Sequence, residues 1–366
     1  MKTIILSGIN LFRGGTLKIM QDCIAALSAF AGKDFQIIAL VHNAELYRKY
    51  ENVRYISYPK SRKSWFYRLY YEYIGFKKLS KQLKPYAWFS LHDVSPNVIA
   101  EKRIVYCHNT FPFYSPKWQD LFIQPDIVMF SLFSRYIIQM NIKKNTYVVV
   151  QQEWLRDTLE KMFSINNVVV SLPVQTKEPI ELQPLKSHVS KEKIQFLYPA
   201  TPMIHKNYEV ICRAVSLLEQ EEIKNFEVLL TFNGKENRYA KKIADSYSGL
   251  NSLRFIGFLN RDEMNDVYQN CDCLLFSSKI ESWGLPITEA IESGKPILLS
   301  NLPYAKETVV KYDKVKFFDP DNARQLADEM KNFIKGTMVY DKTEDVKYKE
   351  PFTLNWDELV RFLFYK

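Results

Sequence analysis

The sequence predicts an α/β protein of two parallel-sheet halves, and three observations carry that expectation. Short apolar, β-branched runs alternate with helical stretches along most of the 366 residues. The alternation breaks at Pro173–Lys193, where three prolines gather among mostly polar residues, and then restarts. The length suffices for two separate cores. Strand and helix in alternation form parallel sheets, because each helix carries the chain back across the sheet to start the next strand.

In chain order, TIILS and FQIIALV flank a helix expected from about Thr16 to Ala31. VRYIS, AWFSL, RIVYC, DIVMF, YVVVQ and VVVS then read as strands, completing a first domain over 1–172. Residues 173–193 read as a linker. QFLYP, EVLLTF, LRFIGF, DCLLF, PILLS and VKFF supply the strands of a second domain over 194–352. In the tail, Asn355 and Glu358 have the spacing of a capping box. Trp356, Leu359, Val360 and Leu363 share one helical face, and a helix that apolar needs a surface to dock on.

Composition narrows the function. The chain is 47% hydrophobic and 25% charged, as soluble globular proteins are, and no apolar run reaches the length of a membrane span. MKTIILSGINLFRGG reads as a first strand running into a glycine loop, not as a signal peptide. Five cysteines, at 23, 107, 212, 271 and 273, lack zinc-like spacing and read as reduced, buried thiols of a cytosolic protein. Cys271 and Cys273 are expected to alternate across one strand. The net charge of +9 suits nucleic acid, anionic lipid or phosphorylated small molecules. Between Lys60 and Lys84, eight Lys or Arg stand against one acid, Glu72, with seven aromatic residues interleaved. Such a segment reads as an element that lies on an anionic membrane, or as a helix that packs its aromatics on the sheet under a solvated basic face. The two are compatible. No nucleic-acid module accompanies the patch, so a nucleic-acid partner is not expected.

The most informative stretch is KIESWGLPITEAIESGKP, Lys279 to Pro296. It lies between two apolar strands. Pro286 suits the first position of a helix, where its missing N–H would be unpaired anyway. Gly294 suits the left-handed position just past the helix end. Helices of parallel sheets begin at the carboxyl ends of strands, where ligands bind. The N–H groups of Trp283 to Ile287 would then form an anion site. Glu281 precedes the helix and Glu289 lies about one turn inside it. Complementing the helix dipole, worth about 0.3–1 kcal/mol, is an alternative account of Glu289 but a poor one of Glu281.

With Glu281 and Glu289 spaced as E-x(7)-E, the two-domain pattern resembles family 4 of the retaining glycosyltransferases, which have the GT-B fold of two Rossmann-like domains facing a cleft. SSKIESWGLPITEAIESGKPILLS looks like the donor-site signature of that family almost throughout. Gly14-Gly15 matches its N-terminal glycine loop. YCHNTFPF places His108 where the family often has a sugar-contacting histidine, although a histidine hydrogen-bonded at a strand end reads the same way. HKN places Lys206 as the phosphate-binding lysine. FNG, with Asn233 and Gly234, and FIGFL, with Gly257, match the segments flanking the nucleoside. The tail, 353–366, resembles the helix that crosses back to the N-terminal domain. One departure stands out: Thr201 occupies the place of the usual diphosphate-binding arginine.

The resemblance implies transfer of a hexosyl unit from a nucleoside-diphosphate sugar, with retention, by front-side attack. The acceptor would be a glycan or lipid-linked intermediate of bacterial surface-polysaccharide synthesis, handled at the inner face of the membrane. Lys206, the helix start and the Gly14-Gly15 backbone would meet the charge growing on the leaving phosphate. Glu281 with Ser282, Trp283, Gly284 and Leu285 would hold the donor sugar and phosphate, and Glu289 the ribose. No cofactor or metal is expected. Asp319-Pro320-Asp321 spells a manganese motif of another fold, but it follows a strand and opens a helix, so it reads as a cap. His42, His92 and His188 have no companion at metal-ligand spacing. The rival readings are a non-catalytic sugar-nucleotide or glycan-binding module and a glycoside phosphorylase of the same fold.

Overall fold

The computed structural model describes residues 1–173 and 193–365, so the expected linker lies almost wholly outside the described residues, as does His188. The chain forms two compact units. The first holds strands β1 (Lys2–Gly8), β2 (Phe35–Val41), β3 (Val53–Ser57), β4 (Ala87–Ser90), β5 (Lys102–Tyr106), β6 (Tyr147–Val150) and β7 (Val168–Ser171). The second holds β8 (Ile194–Tyr198), β9 (Phe226–Leu230), β10 (Leu253–Phe255), β11 (Cys273–Phe276), β12 (Ile297–Ser300) and β13 (Val315–Phe318). A short strand, β14 (Phe352–Thr353), returns to pair with β7 of the first unit.

Every strand pair is parallel. The first sheet runs β14-β7-β6-β5-β4-β1-β2-β3 and the second β10-β9-β8-β11-β12-β13. Each therefore reverses direction once, between β1 and β4 in one and between β8 and β11 in the other. Crevices at such switch points, at the carboxyl ends of the strands, are where open α/β sheets bind ligands.

The period of two along β1 builds both faces of the first sheet. Ile4 and Leu6 join the core under the first helix, Gly14–Ala31, while Ile5 joins Ile38, Phe76 and Trp88 on the opposite face. The terminal helix, Trp356–Tyr365, buries Trp356, Leu359, Val360 and Leu363 in the same core as Met20, Cys23, Ile24 and Leu27 of the first helix. Asn355 caps it by accepting from Glu358 N–H, and the Glu358 carboxylate accepts from Leu354 N–H.

The structure corrects several expectations. DIVMF is not a strand but the start of a helix, Pro125–Gln139. Pro125 opens it, and its buried residues, Ile127, Val128, Ser131, Ser134 and Ile138, recur at helical spacing. A five-residue apolar window is too short to separate the two periods. Residues 113–132, expected in the first domain, group with the second unit, and the first unit takes the tail from Lys347. Cys271 ends the helix Arg261–Asn270 instead of sharing a strand with Cys273, because β11 begins only at Cys273. All five cysteines are buried and none is in a disulfide. The cap after Asp319-Pro320-Asp321 is Asn322, which accepts from Gln325 N–H; Asp321 instead pairs with Lys279 at 2.6 Å. The hydrogen bond from Lys279 holds the Asp321 carboxyl below its ordinary pKa.

The basic, aromatic segment divides its side chains. Phe76, Tyr71 and Leu79 pack beneath it on the sheet, and Glu72 is fully buried against His92. Trp65, Tyr67, Leu69, Tyr70 and Ile74 are exposed, and Phe66 is 84% exposed.

Candidate functional site

The second sheet brings its two loops together at the switch point. After β8, a single turn, Ile204–Lys206, presents Lys206. After β11, the loop carries Glu281. The Lys206 ammonium and the Glu281 carboxylate form an ion pair, each side chain 16% exposed. The backbone is sewn together around it. Lys206 C=O accepts from the hydroxyls of Tyr198 at 2.7 Å and Ser277 at 2.9 Å, and His205 C=O accepts from Lys279 N–H at 2.7 Å. Asn207 closes the turn in the left-handed region and donates to Pro320 C=O. Burial, and then the Lys206 charge, hold the His205 pKa well below its usual value, so His205 adds no second cation. Gln124, from the 113–132 segment, accepts from Ile204 N–H at 2.8 Å and steadies the turn from outside.

The loop ends at Gly284, φ 86°, and the helix Leu285–Glu292 begins there. Gly is required twice over: the left-handed backbone disfavours a side chain, and a Cβ would meet Ile287 Cδ1 at 2.8 Å. Pro286 falls at the second helical position, one later than its expected place. The expected anion site also shrinks. Pro286 has no N–H, and Ile287 N–H is taken by Gly284 C=O at 2.8 Å, which leaves Trp283, Gly284 and Leu285 of the proposed set. Trp283 is held by Thr288 through its indole N–H and by Thr308 through its carbonyl. Ser282 is half-buried and Leu285 exposed. Gly294, φ 64°, stands just past the helix end as expected. Glu289 is exposed on the helix beside Tyr268; burial, then the Glu289 charge and hydrogen bond, push the Tyr268 hydroxyl up.

In the Asn233-Gly234 turn, both backbone N–H groups donate to the Glu236 carboxylate, at 2.8 and 3.0 Å. Sequence reasoning missed Glu236, although an acid three residues after Asn233 is the spacing of a turn cap. Gly257, φ 80°, lies against Asn233, and its N–H donates to Phe232 C=O. Thr201 is exposed.

The remaining expected residues belong to the first unit. Gly14 and Gly15 are the first two residues of the helix, not a loop before it, and Gly14 has φ 58°. Helical hydrogen bonding starts at once because Arg13 C=O already accepts from Leu17 N–H and Thr16 Oγ1. His108 follows β5. Its backbone N–H donates to Asp93 Oδ1 at 2.7 Å, and its ring Nε2 lies 3.7 Å from Asp93 Oδ2. Among the described residues no group of three or more His, Cys, Asp or Glu is placed to hold a metal ion, and no helix is long and apolar enough to cross a membrane.

Residues 179–350 match the family model described as glycosyl transferases group 1. Among characterised proteins, the O-antigen chain mannosyltransferase RfbU of Salmonella typhimurium is 21% identical over 228 residues, 62% of this chain and 59% of that protein. The chain thus spans about three fifths of that relative. Among solved structures, the lipopolysaccharide outer core galactosyltransferase WaaB superposes with a TM-score of 0.65 at 12% identity, covering 100% of this chain and 99% of that one. Anabaena HepE in complex with UDP-glucose gives 0.57 at 12% identity, over 92% and 91%. The two Rossmann-like parallel sheets and the returning helix are those of the GT-B fold.

Proposed function

We propose, from the premise that this chain carries a glycosyl transferase group 1 domain, that it is a retaining hexosyltransferase. It moves a sugar from a nucleoside-diphosphate sugar to a glycan or lipid-linked acceptor in surface-polysaccharide synthesis. The observation that carries this reading is the Lys206–Glu281 pair at the switch point of the second sheet, inside the matched domain. Expulsion of a nucleoside diphosphate builds negative charge, and a preorganised cation beside a helix start is the arrangement that stabilises it. Glu281 holds Lys206 in place until the diphosphate takes over that contact, and then faces the sugar. The O-antigen and lipopolysaccharide transferases among the relatives support the acceptor class.

A screen of nucleotide sugars tests this directly. One donor should raise the melting temperature, since a ligand stabilises by RT ln(1 + [L]/Kd), and should be hydrolysed slowly without acceptor. Binding without turnover in the presence of any acceptor would favour a non-catalytic module. Transfer should persist in excess chelator, because Lys206 supplies the charge that a metal would otherwise bring; abolition by EDTA with rescue by manganese would overturn that expectation.

Glu281 and Glu289 should separate in the same assays. Glu289→Ala is expected to weaken the nucleoside diphosphate, and Glu281→Ala to lower turnover. Equal loss of nucleotide affinity, measured by calorimetry, would remove the division of roles.

A lipid-linked acceptor would be met at the cytoplasmic membrane face, and the segment Lys60–Lys84 supports that reading. Exposed Trp65, Phe66 and Tyr70 lie in the same segment as Lys77, Lys78 and Lys81, which are also exposed. Each basic residue near an anionic surface contributes about 1 kcal/mol. Charge reversal at the three lysines should release the protein from anionic vesicles, as should high salt. Unchanged sedimentation of the triple variant with vesicles would count against the contact.

A further inference from the structure

Three loops of the first unit, after the neighbouring strands β1, β2 and β3, bring a cluster of cations onto one aromatic ring. Phe12 stands at its centre. Arg62 Cζ lies 3.3 Å from the centroid of the Phe12 ring and Arg13 Cζ 5.2 Å from it. His42 meets the same ring edge-on, with centroids 6.4 Å apart. All three loops leave the carboxyl ends of their strands, the edge at which parallel sheets bind ligands.

The cluster is held from beneath. Ser61 is buried; its hydroxyl donates to Ile9 C=O at 2.5 Å and lies 3.4 Å from His42 Nδ1, which ties the three loops together. Tyr58 N–H donates to Val41 C=O at 2.8 Å and fixes the third loop against the end of β2. Arg62 is thus anchored through the residue before it and stacked through its own side chain.

What the cluster lacks is an acid. Among the described residues neither guanidinium forms an ion pair with a carboxylate, and the first turn of the helix Gly14–Ala31, next to Arg13, holds no acid. Arg13 and Arg62 are both exposed. A ring face steadies a guanidinium and leaves its N–H edge open, and that edge fits a phosphate. Two like charges over one ring repel each other, and an anion bound between them turns that repulsion into attraction.

The residues after Arg62 indicate what else the anion carries. From Pro59 to Tyr71 the charged residues are Lys60, Arg62, Lys63 and Arg68, with no acid. Ser64 caps the helix Trp65–Tyr70 by accepting from Tyr67 N–H, and Trp65, Phe66, Leu69 and Tyr70 of that helix are exposed. An anion site followed at once by an exposed apolar helix suits an amphiphile, with phosphate at one end and hydrocarbon at the other.

We propose that Arg13 and Arg62 bind the phosphate of a lipid-linked acceptor, whose apolar chain lies along Trp65 and Phe66. The position of the cluster on the ligand-binding edge of the sheet favours an acceptor over a bulk membrane lipid. Calling the ligand an acceptor rests on the glycosyltransferase reading; the binding of a lipid phosphate does not.

Calorimetry on the full-length protein with dodecyl phosphate, below its micelle concentration, tests the site without a membrane surface. Dodecyl phosphate should bind in one equivalent, at least about tenfold more tightly than inorganic phosphate, because its chain is buried as well. Dodecyltrimethylammonium should not bind. Arg13→Gln and Arg62→Gln should each weaken dodecyl phosphate by roughly ten- to a hundredfold, as loss of a charge-assisted hydrogen bond does. Both positions are exposed, so the circular dichroism of the variants should match the wild type. Phe66→Ala should weaken dodecyl phosphate by about threefold or more and leave inorganic phosphate as it was. No binding by the wild type, or unchanged affinity in both arginine variants, would overturn the proposal. So would three other results: equal affinity for inorganic phosphate, which makes this a free-phosphate site; equal affinity for dihexanoyl phosphatidylglycerol, which assigns it to bilayer headgroups; and displacement by UDP or GDP, which gives the arginines to the donor. If the wild type binds dodecyl phosphate as expected but transfers no sugar from any donor, the glycosyltransferase reading fails while the lipid-phosphate site stands.

Discussion

Lys206→Ala is expected to lower kcat/KM by roughly ten- to several-hundred-fold. A charge-assisted hydrogen bond contributes about 1.5–3 kcal/mol, and each tenfold in rate corresponds to about 1.36 kcal/mol. The structure sharpens the expectation. Lys206 neutralises Glu281, so its removal also leaves a largely buried carboxylate without its cation, which on the proposed reading repels the diphosphate. Lys206→Gln should recover little, since it restores length but not charge. Affinity should fall for the nucleoside diphosphate and barely change for the bare nucleoside. The double variant Lys206→Ala/Glu281→Gln should bind the diphosphate better than Lys206→Ala alone, because the repelling charge is gone. With Thr201 where the resemblance leads one to expect an arginine, and His205 held neutral, these variants measure how far the site depends on one cation. A Lys206→Ala enzyme that keeps most of its activity would mean that another Lys or Arg binds the phosphates, and the placing of the diphosphate at this turn would have to be withdrawn.

Trp356→Ala is expected to destabilise the first unit by about 3–5 kcal/mol, the usual cost of emptying a large aromatic site in a core. Trp356 is 3% exposed and stacks on Tyr106 with ring centroids 5.3 Å apart and planes at 22°. It also starts the helix that covers the first helix of the chain. Its indole N–H, however, is buried without a partner among the described residues. Leaving such a donor unsatisfied costs about 1–3 kcal/mol. Trp356→Phe removes that penalty while keeping most of the apolar area, so it should cost far less than Trp356→Ala. Urea unfolding of both variants, followed by tryptophan-independent circular dichroism, measures the difference. Equal loss for Phe and Ala would show that the indole N–H finds a partner, and that the ring is held by more than packing.

Local requirements were legible from the chain alone. Alternation of apolar runs with helical stretches set the two parallel sheets, because a strand and a helix each impose a period on the residues that compose them. Gly284 and Gly294 bracket their helix through backbone angles that only a few residues accept. Asn355 capped the last helix and its apolar face required a docking surface, which proved to be the first helix. The E-x(7)-E motif placed Glu281 before a helix and Glu289 within it.

The tertiary structure decided what depends on which loops meet. Glu281 is paired with a lysine 75 positions away, since the order β10-β9-β8-β11-β12-β13 sets β8 beside β11. Glu72, the one acid in a basic segment, is spent on buried His92 and not on solvent. Asp93 reaches His108 because β4 and β5 are neighbours, and Gln124 reaches the Lys206 turn because its segment packs with the second unit. DIVMF misled for the opposite reason: five apolar residues satisfy either period, and only the buried face of the completed helix distinguishes them. Periodicity and backbone angle are properties of neighbours in sequence, whereas an ion pair or an orienting hydrogen bond forms between residues that only strand order brings within reach.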